Sequence, residues 1–220
     1  MTRILLLTPA DVQAPAAAFS AGLTDSDTAI VHRRVAYASP PPVGAHDWAL
    51  ADLAMLAAGQ HAQEEGFDAV CVGDMGDYGA NALRSVLDIP VITAGRASML
   101  YALSLGARFS VAASARDHVR IGKLVHEYAL DHQCAGVHLL GEDGELPAAL
   151  DEADVVVLAA SPAGASRSVR APLVEPLPLI VKLAESMTGL GLTHSRRAYP
   201  APQVRKGDLI DALSRSGAAS

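Results

Sequence analysis

The chain has 220 residues, half of them hydrophobic and only 19% charged, so it is too apolar for a disordered protein and can bury a substantial core. Its formal charge of -7 argues against nucleic acid or an anionic membrane surface as a partner. Its two cysteines form neither a disulfide framework nor a Cys-x-x-Cys metal site, and no apolar run is long enough for a membrane helix, so we expect a cytoplasmic location.

Short runs of β-forming apolar residues alternate along the chain with alanine-rich segments of helical period. The predicted strands are Ile4–Leu7, Ala29–Arg34, Ala69–Val72, Pro90–Thr93, Phe109–Ala112, Gly136–Leu140, Val155–Ala159 and Leu173–Val174. The predicted helices are Trp48–Glu65, Tyr78–Ser85, Arg96–Leu105, Asp117–Tyr128, Leu177–Met187 and Lys206–Leu213. Consecutive prolines make Ser39–Gly44 a loop. This alternation is typical of parallel strands joined by crossover helices and predicts an α/β fold.

The sequence contains an internal repeat, which indicates two lobes. Residues Phe67–Gly76 and Ala153–Pro162 both run from a strand into a turn of small residues, and their alignment places Asp68 opposite Asp154. The repeat predicts two pseudo-symmetric lobes, each a small parallel sheet flanked by helices, with the active site in the cleft between them. The first lobe is expected to comprise residues 1–96 and 185–220, and the second lobe residues 97–184.

Six segments in a fixed order carry a family likeness over nearly the whole chain. They are Ser39–Ala51, Gly73–Arg84, Asp88–Val91, Leu105–Val111, Ala153–Leu158 and Lys182–Leu192. Together they resemble the aspartate/glutamate/hydantoin racemase superfamily, and its hydantoin racemase branch most closely. The resemblance implies a cofactor-independent and metal-independent enzyme of the isomerase type. Such an enzyme would transfer a proton at a carbon next to a carbonyl of a small carboxylate or cyclic amide.

In that family two cysteines, one from each lobe, stand on opposite faces of the substrate carbon. The resemblance places the first thiol position at Asp74 and the second at Ala160. Cys71 lies inside a strand and is expected to face the core, while Cys134 precedes a strand of the second lobe, so neither replaces a missing thiol. Ala160 cannot titrate. We therefore expect a one-sided site in which Asp74, with its pKa raised by burial, is the acid/base.

The remaining candidate site residues are expected to contact the substrate. They are Thr8, His46, Met75, Gly76, Ser114, Ala160 and Ser161. The turns after the two repeat strands are expected to present backbone N–H groups to a carboxylate or an enolate oxygen. Some of these residues also have plainer interpretations: Ser161 precedes a proline and fits a simple turn, and His46 fits a solvated loop histidine.

Other polar residues fit structural roles. Asp77 stands just before a predicted helix and is expected to cap it. The histidines lack the spacing of metal ligands, and no glycine-rich phosphate loop follows the first strand, so neither a metal nor a nucleotide cofactor is expected. The expected partner is a small molecule, and we expect a homo-oligomer, a dimer or larger.

Three functions besides a one-sided isomerase also fit the sequence. A decarboxylase or another lyase generates an enolate and needs only one acid to protonate it. A hydrolase would use Asp74 to activate water. A non-catalytic binding protein would have kept the cleft after losing its thiols, although decay favours alanine over a new carboxyl at a thiol position.

Overall fold

The computed structural model describes residues 1–11, 24–141, 146–159 and 170–218. Its strands are β1 (Thr2–Pro9), β2 (Thr28–Val35), β3 (Ala69–Val72), β4 (Val91–Thr93), β5 (Phe109–Ala113), β6 (Cys134–Leu139), β7 (Val155–Leu158) and β8 (Leu173–Val174). Its helices are α1 (Ala45–Gly59), α2 (Ala80–Val86), α3 (Ala94–Ala102), α4 (His118–Glu127), α5 (Pro176–Gly189) and α6 (Gly207–Ala218). None of these described helices is long and apolar enough to cross a membrane.

The strands of the described part form two four-stranded parallel sheets with the same topology. The strand orders are β2-β1-β3-β4 and β6-β5-β7-β8, so each sheet places its first strand between its second and third. The predicted α/β fold with two pseudo-symmetric parallel sheets is thereby confirmed. The lobe boundaries at residues 96 and 185 stay a prediction, and α5 runs across the second of them.

Alternate side chains of β1 enter two different cores. Leu5 and Leu7 pack in a core on the face of the first sheet that α1 covers. Ile4 and Leu6 face the opposite way, into a core that also contains side chains of β5 and β7. An unbroken apolar run therefore fits a strand that is covered on both faces. The second of these cores joins the two lobes.

Helix α5 lies over the first sheet, where it packs against β1, β3 and β4. Cys71 of β3 is completely buried beneath it and donates its thiol hydrogen to the backbone oxygen of Ile180, with Sγ 3.4 Å from that oxygen. Burial raises the pKa of the Cys71 thiol. The prediction that Cys71 faces the core is confirmed.

The internal repeat is visible in two matched hydrogen bonds. Oδ2 of Asp68 accepts from the backbone N–H of Arg3 over 2.7 Å, and Oδ2 of Asp154 accepts from the backbone N–H of Arg108 over 2.9 Å. In each sheet this carboxylate joins the start of the third strand to the start of the first. The predicted correspondence of Asp68 with Asp154 therefore has a physical basis.

The bounds of α1 differ from the prediction. The helix begins at Ala45, directly after the proline-rich loop, and ends at Gly59 instead of Glu65. A series of turns follows, and it ends at Gly66, whose positive φ of 79° favours glycine and turns the chain toward β3. Glutamine and glutamate, which also favour helices, follow Gly59 up to Glu65, and for this reason the sequence predicted a longer helix.

Asp77 caps a different helix from the predicted one. Its carboxylate accepts from the backbone N–H groups of Gly95 and Arg96, in the first turn of α3, over 2.8 and 2.7 Å. Near the start of α2, the N–H of Gly79 donates instead to Asp52 over 2.8 Å. Asp77 is structural, as expected, but it stabilises a helix that follows the next strand.

Candidate active site

Asp74 lies directly beyond β3, at the carboxyl end of the first sheet, and the residue is only 4% exposed. Tyr37, which follows β2, donates its phenolic hydrogen to Oδ2 of Asp74 over 2.8 Å. The backbone N–H of Gly76 donates to Oδ1 over 2.7 Å. Burial raises the pKa of Asp74, while these two hydrogen bonds and the charge of Arg116 oppose the rise. Asp74 therefore holds a proton at higher pH than an ordinary aspartate.

Arg116 reaches from the second lobe to Asp74. Its Nη2 lies 3.6 Å from Oδ2 of Asp74, its Nε lies 3.3 Å from Oδ1 of Asp117, and its Nη1 donates to Oδ2 of Asp11. Burial lowers the pKa of Arg116, and the three carboxylates more than offset this effect, so the guanidinium stays charged. Nη2 is buried, and no described residue accepts a hydrogen bond from it.

Asp117 contributes a second titratable carboxyl to the site. It follows β5 in the second lobe, and the hydroxyl of Ser114 donates to its Oδ2 over 2.9 Å. Burial, followed by the negative charge of Asp74, raises the pKa of Asp117 to about 6. Among the described residues, no group of His, Cys, Asp or Glu side chains is arranged to hold a metal ion. A guanidinium lies among the carboxylates instead.

Aromatic rings lie next to the cluster of Asp74, Arg116 and Asp117, and they hold the lobes together. The rings of Tyr37 and Tyr78 meet edge to face with their centroids 5.8 Å apart. The guanidinium of Arg120, from α4, lies 5.2 Å from the ring centroids of both Trp48 and Tyr78. Its Nε also donates to the backbone oxygen of Gly76 over 3.0 Å. These contacts fix the second lobe against the turn that carries Asp74.

The structure brings several predicted site residues into one group. Asp74 and Gly76 are hydrogen-bonded to each other, and Ser114 joins them through Asp117 and Arg116. The N–H of Gly76, which was expected to face a substrate oxygen, donates to the Asp74 carboxylate.

The other predicted site residues have different surroundings. Met75 is buried in the core between the lobes. The hydroxyl of Thr8 is buried and lies 2.6 Å from Nε2 of His32. The side chain of His46 is 85% exposed and lies 3.2 Å from Asp47, which fits the solvated loop histidine. Ala160 and Ser161 lie outside the described residues.

The sequence-based search missed Tyr37, Arg116 and Asp117. Tyr37 follows the carboxyl end of β2, and Arg116 and Asp117 follow that of β5. Because the carboxyl ends of parallel strands meet at one edge of a sheet, polar residues just beyond each strand are candidates for one site. This rule, applied to all predicted strands, would have identified the three residues.

Two similar parallel sheets that meet at a buried carboxyl define a pseudo-symmetric, two-lobed α/β enzyme. The family model described as Asp/Glu/Hydantoin racemase matches residues 13–167. The chain belongs to this family, and it is an enzyme of the racemase and isomerase superfamily. The resemblance inferred from the six segments is confirmed.

Individual relatives agree with this assignment. A hydantoin racemase from Pseudomonas sp. (strain NS671) is 26% identical over 180 residues, which cover 70% of this chain and 72% of the relative. The solved allantoin racemase from Pseudomonas fluorescens has a TM-score of 0.75 at 24% identity and covers 93% of this chain and 99% of its own. The solved arylmalonate decarboxylase has a TM-score of 0.56 at 14% identity, and the match covers 86% of this chain and 93% of the decarboxylase chain. The two structural matches show a shared fold.

Proposed function

We propose that this chain catalyses cofactor-independent proton transfer at a carbon next to a carbonyl, with Asp74 as the acid/base. The substrate class is a small carboxylate or a cyclic amide. The observation that carries the proposal is the buried Asp74 carboxyl, placed at the carboxyl end of the first sheet and hydrogen-bonded by Tyr37 and Gly76. The resemblance to the racemases puts a catalytic thiol at the same position.

The surroundings of Asp74 suit a group that both takes and returns a proton. As a carboxylate it accepts the proton from the carbon, and the electron pair of the C–H bond moves onto the carbonyl oxygen to form an enolate. Burial favours the protonated form of Asp74, and the hydrogen bonds from Tyr37 and Gly76 favour the ionised form. The net rise in the pKa of Asp74 brings its two protonation states closer in free energy at neutral pH, which favours proton transfer in either direction.

Arg116 supplies positive charge where the enolate forms. Its Nη2 is 3.6 Å from Asp74, and the N–H groups of this buried nitrogen have no acceptor among the described residues. A fixed guanidinium in a buried site stabilises a developing oxyanion more than water does. This group also suits the carboxylate of a substrate, so a lyase that releases carbon dioxide is the second candidate.

The test is to incubate the chain with single enantiomers of allantoin and 5-benzylhydantoin, and with phenylmalonate, in heavy water. We expect deuterium at the carbon next to the carbonyl, read by NMR, together with a change in optical rotation. Incubations without protein control for spontaneous exchange. Release of carbon dioxide from phenylmalonate, with deuterium in the product, would favour the lyase.

A parallel incubation in oxygen-18 water tests for a hydrolase, and calorimetry tests for a protein that only binds its ligand. Incorporation of oxygen-18 without deuterium at carbon would contradict proton transfer and favour the hydrolase. Heat of binding in calorimetry without any product would favour a non-catalytic binding protein. Each of these results would overturn the proposed role of Asp74.

A further inference from the structure

We propose that Asp117 is a second acid/base of this site and serves the face of the substrate carbon opposite Asp74. The inference rests on the proposed proton transfer at Asp74 and extends it. Racemisation needs a titratable group on each face of the carbon. The sequence suggested a one-sided site because Ala160 cannot titrate. Asp117 supplies a carboxyl from the second lobe at a different position in the chain.

The two carboxyls approach one site from opposite lobes. Asp74 follows β3 in the first sheet, and Asp117 follows β5 in the second. They contact different nitrogens of Arg116: Oδ2 of Asp74 lies 3.6 Å from Nη2, and Oδ1 of Asp117 lies 3.3 Å from Nε. Nε and Nη2 lie on one edge of the planar guanidinium, so Arg116 holds the two carboxyls side by side, one from each lobe. A substrate carbon bound between the lobes, beside Nη2, would therefore have one carboxyl on the side of each lobe.

Asp117 is partly buried and less enclosed than Asp74. Its side chain is 17% exposed, compared with 3% for the side chain of Asp74. Ser114 donates to Oδ2 of Asp117, and Nε of Arg116 donates to Oδ1. Each carboxylate oxygen has two lone-pair positions, so the described residues leave both oxygens a position for a proton. These two hydrogen bonds thus hold the Asp117 side chain in place and leave it able to accept a proton.

Burial and the neighbouring charges bring the pKa of Asp117 toward neutral pH. The groups that face it are Asp74, Arg116, Ser114 and Tyr78. Burial and the charge of Asp74 raise the pKa of Asp117 to about 6, although Ser114 and Arg116 act in the opposite direction. Both protonation states are therefore populated in the pH range in which a proton must be given and taken.

The proton balance of one turnover is simple. The Asp74 carboxylate removes the proton from one face of the carbon, and the electron pair of the broken bond moves onto the carbonyl oxygen. The Asp117 carboxyl then donates its proton to the other face, and the carbonyl re-forms. Asp74 ends protonated and Asp117 ionised, and the reverse turnover or exchange with water restores the starting state.

The test follows deuterium exchange separately for the two enantiomers of 5-benzylhydantoin in heavy water. Parent, Asp74→Asn and Asp117→Asn are compared. Each variant is expected to lose interconversion of the enantiomers. Each should still exchange the proton of one enantiomer and lose exchange of the other by about 100-fold or more, with the opposite enantiomer affected in the two variants. Asp11→Asn removes another carboxylate from Arg116 and should change the exchange rates of both enantiomers by the same factor.

Two results would overturn the role of Asp117. If Asp117→Asn exchanges both enantiomers at the parent rates, Asp117 is not an acid/base. If it slows both enantiomers equally, it acts only through Arg116. A parent that exchanges neither enantiomer would instead contradict the proposed proton transfer.

A titration without substrate provides an independent readout. Carboxyl 13C NMR, with the Asp117 signal assigned by its absence in Asp117→Asn, gives the protonation midpoint of Asp117 in the folded chain. The midpoint should fall in Asp74→Asn, because the charge of Asp74 raises it in the parent. An unchanged midpoint would show that the two carboxyls are not coupled and would overturn their assignment to one site.

Discussion

Tyr37 donates its phenolic hydrogen to Oδ2 of Asp74 over 2.8 Å, so a residue beyond β2 is hydrogen-bonded to a carboxyl beyond β3. The bond favours the ionised form of Asp74 and lowers its pKa, while burial raises it. The pKa of Tyr37 is raised in turn, mainly through burial and then through the charge of Asp74. Tyr37 is thus a neutral donor that adjusts the basicity of Asp74.

Replacing Tyr37 by phenylalanine removes this donor and leaves the ring. The pKa of Asp74 should rise further, so the acid limb of the pH profile of kcat/KM should move to higher pH. Tyr101→Phe, at an exposed position of α3, is the matched control and should leave the limb in place. A limb that stays in place in Tyr37→Phe, or moves to lower pH, would contradict the role given to Tyr37.

Asp117 should lower the stability of the fold at neutral pH. Its pKa rises from about 3.9 in the unfolded chain to about 6 in the folded protein. The folded state therefore holds a proton that the unfolded state releases, and stability falls as pH rises between these values. Asp117→Asn removes this cost and should be more stable than the parent at pH 8 by about 2 kcal/mol.

Urea unfolding at pH 4.5 and at pH 8 checks this prediction. The advantage of Asp117→Asn should be smaller at pH 4.5, where the parent keeps much of the proton. Asp131→Asn, at an exposed carboxyl, controls for the loss of a surface charge. A variant less stable than the parent at pH 8 would show that ionised Asp117 stabilises the fold.

Asp77 should be essential for stability, not for chemistry. Its carboxylate accepts from two backbone N–H groups of α3 and from the hydroxyl of Tyr128 over 2.6 Å. Asp77→Ala leaves these buried donors without an acceptor and should lower the free energy of unfolding by about 2–4 kcal/mol. Tyr128→Phe removes one donor and should cost about 1 kcal/mol. Urea unfolding measures both, and an Asp77→Ala loss no larger than that of Tyr128→Phe would contradict the capping role.

Iodoacetamide should leave activity intact. Cys71 is completely buried and Cys134 is half-buried, and burial raises the pKa of both thiols, so few reactive thiolates form. Mass spectrometry of the treated protein locates any label, and Cys134→Ala shows whether labelling there matters. Loss of activity that substrate prevents, with the label on Cys71, would place a thiol in the site and contradict the assignment to Asp74.

Much of the fold could be predicted because it depends on local patterns. The apolar run of β1 fits a strand covered on both faces, and the repeated aspartates Asp68 and Asp154 mark equivalent points of the two sheets. Asp74 was found through its position after a repeat strand. These features lie within short segments, where the spacing of apolar residues reflects the period of the strand or helix that they form.

The partners of Asp74 could not be predicted in the same way. Tyr37 and Arg116 are distant from Asp74 in sequence, and their contacts depend on how β2 and the second lobe pack against the turn after β3. The helix that Asp77 caps depends on the same packing. Such long-range contacts follow from the relative positions of whole elements, which a pattern of residues does not specify.

The most direct test of the central claim is the interconversion of substrate enantiomers by Asp74→Asn. This change keeps the shape of the side chain and removes its titration, so turnover should fall by more than about 100-fold. Circular dichroism and calorimetric binding should remain close to those of the parent. Asp88→Asn, at an exposed carboxyl, should keep the parent activity. Activity of Asp74→Asn within about threefold of the parent would contradict the assignment of Asp74 as the acid/base.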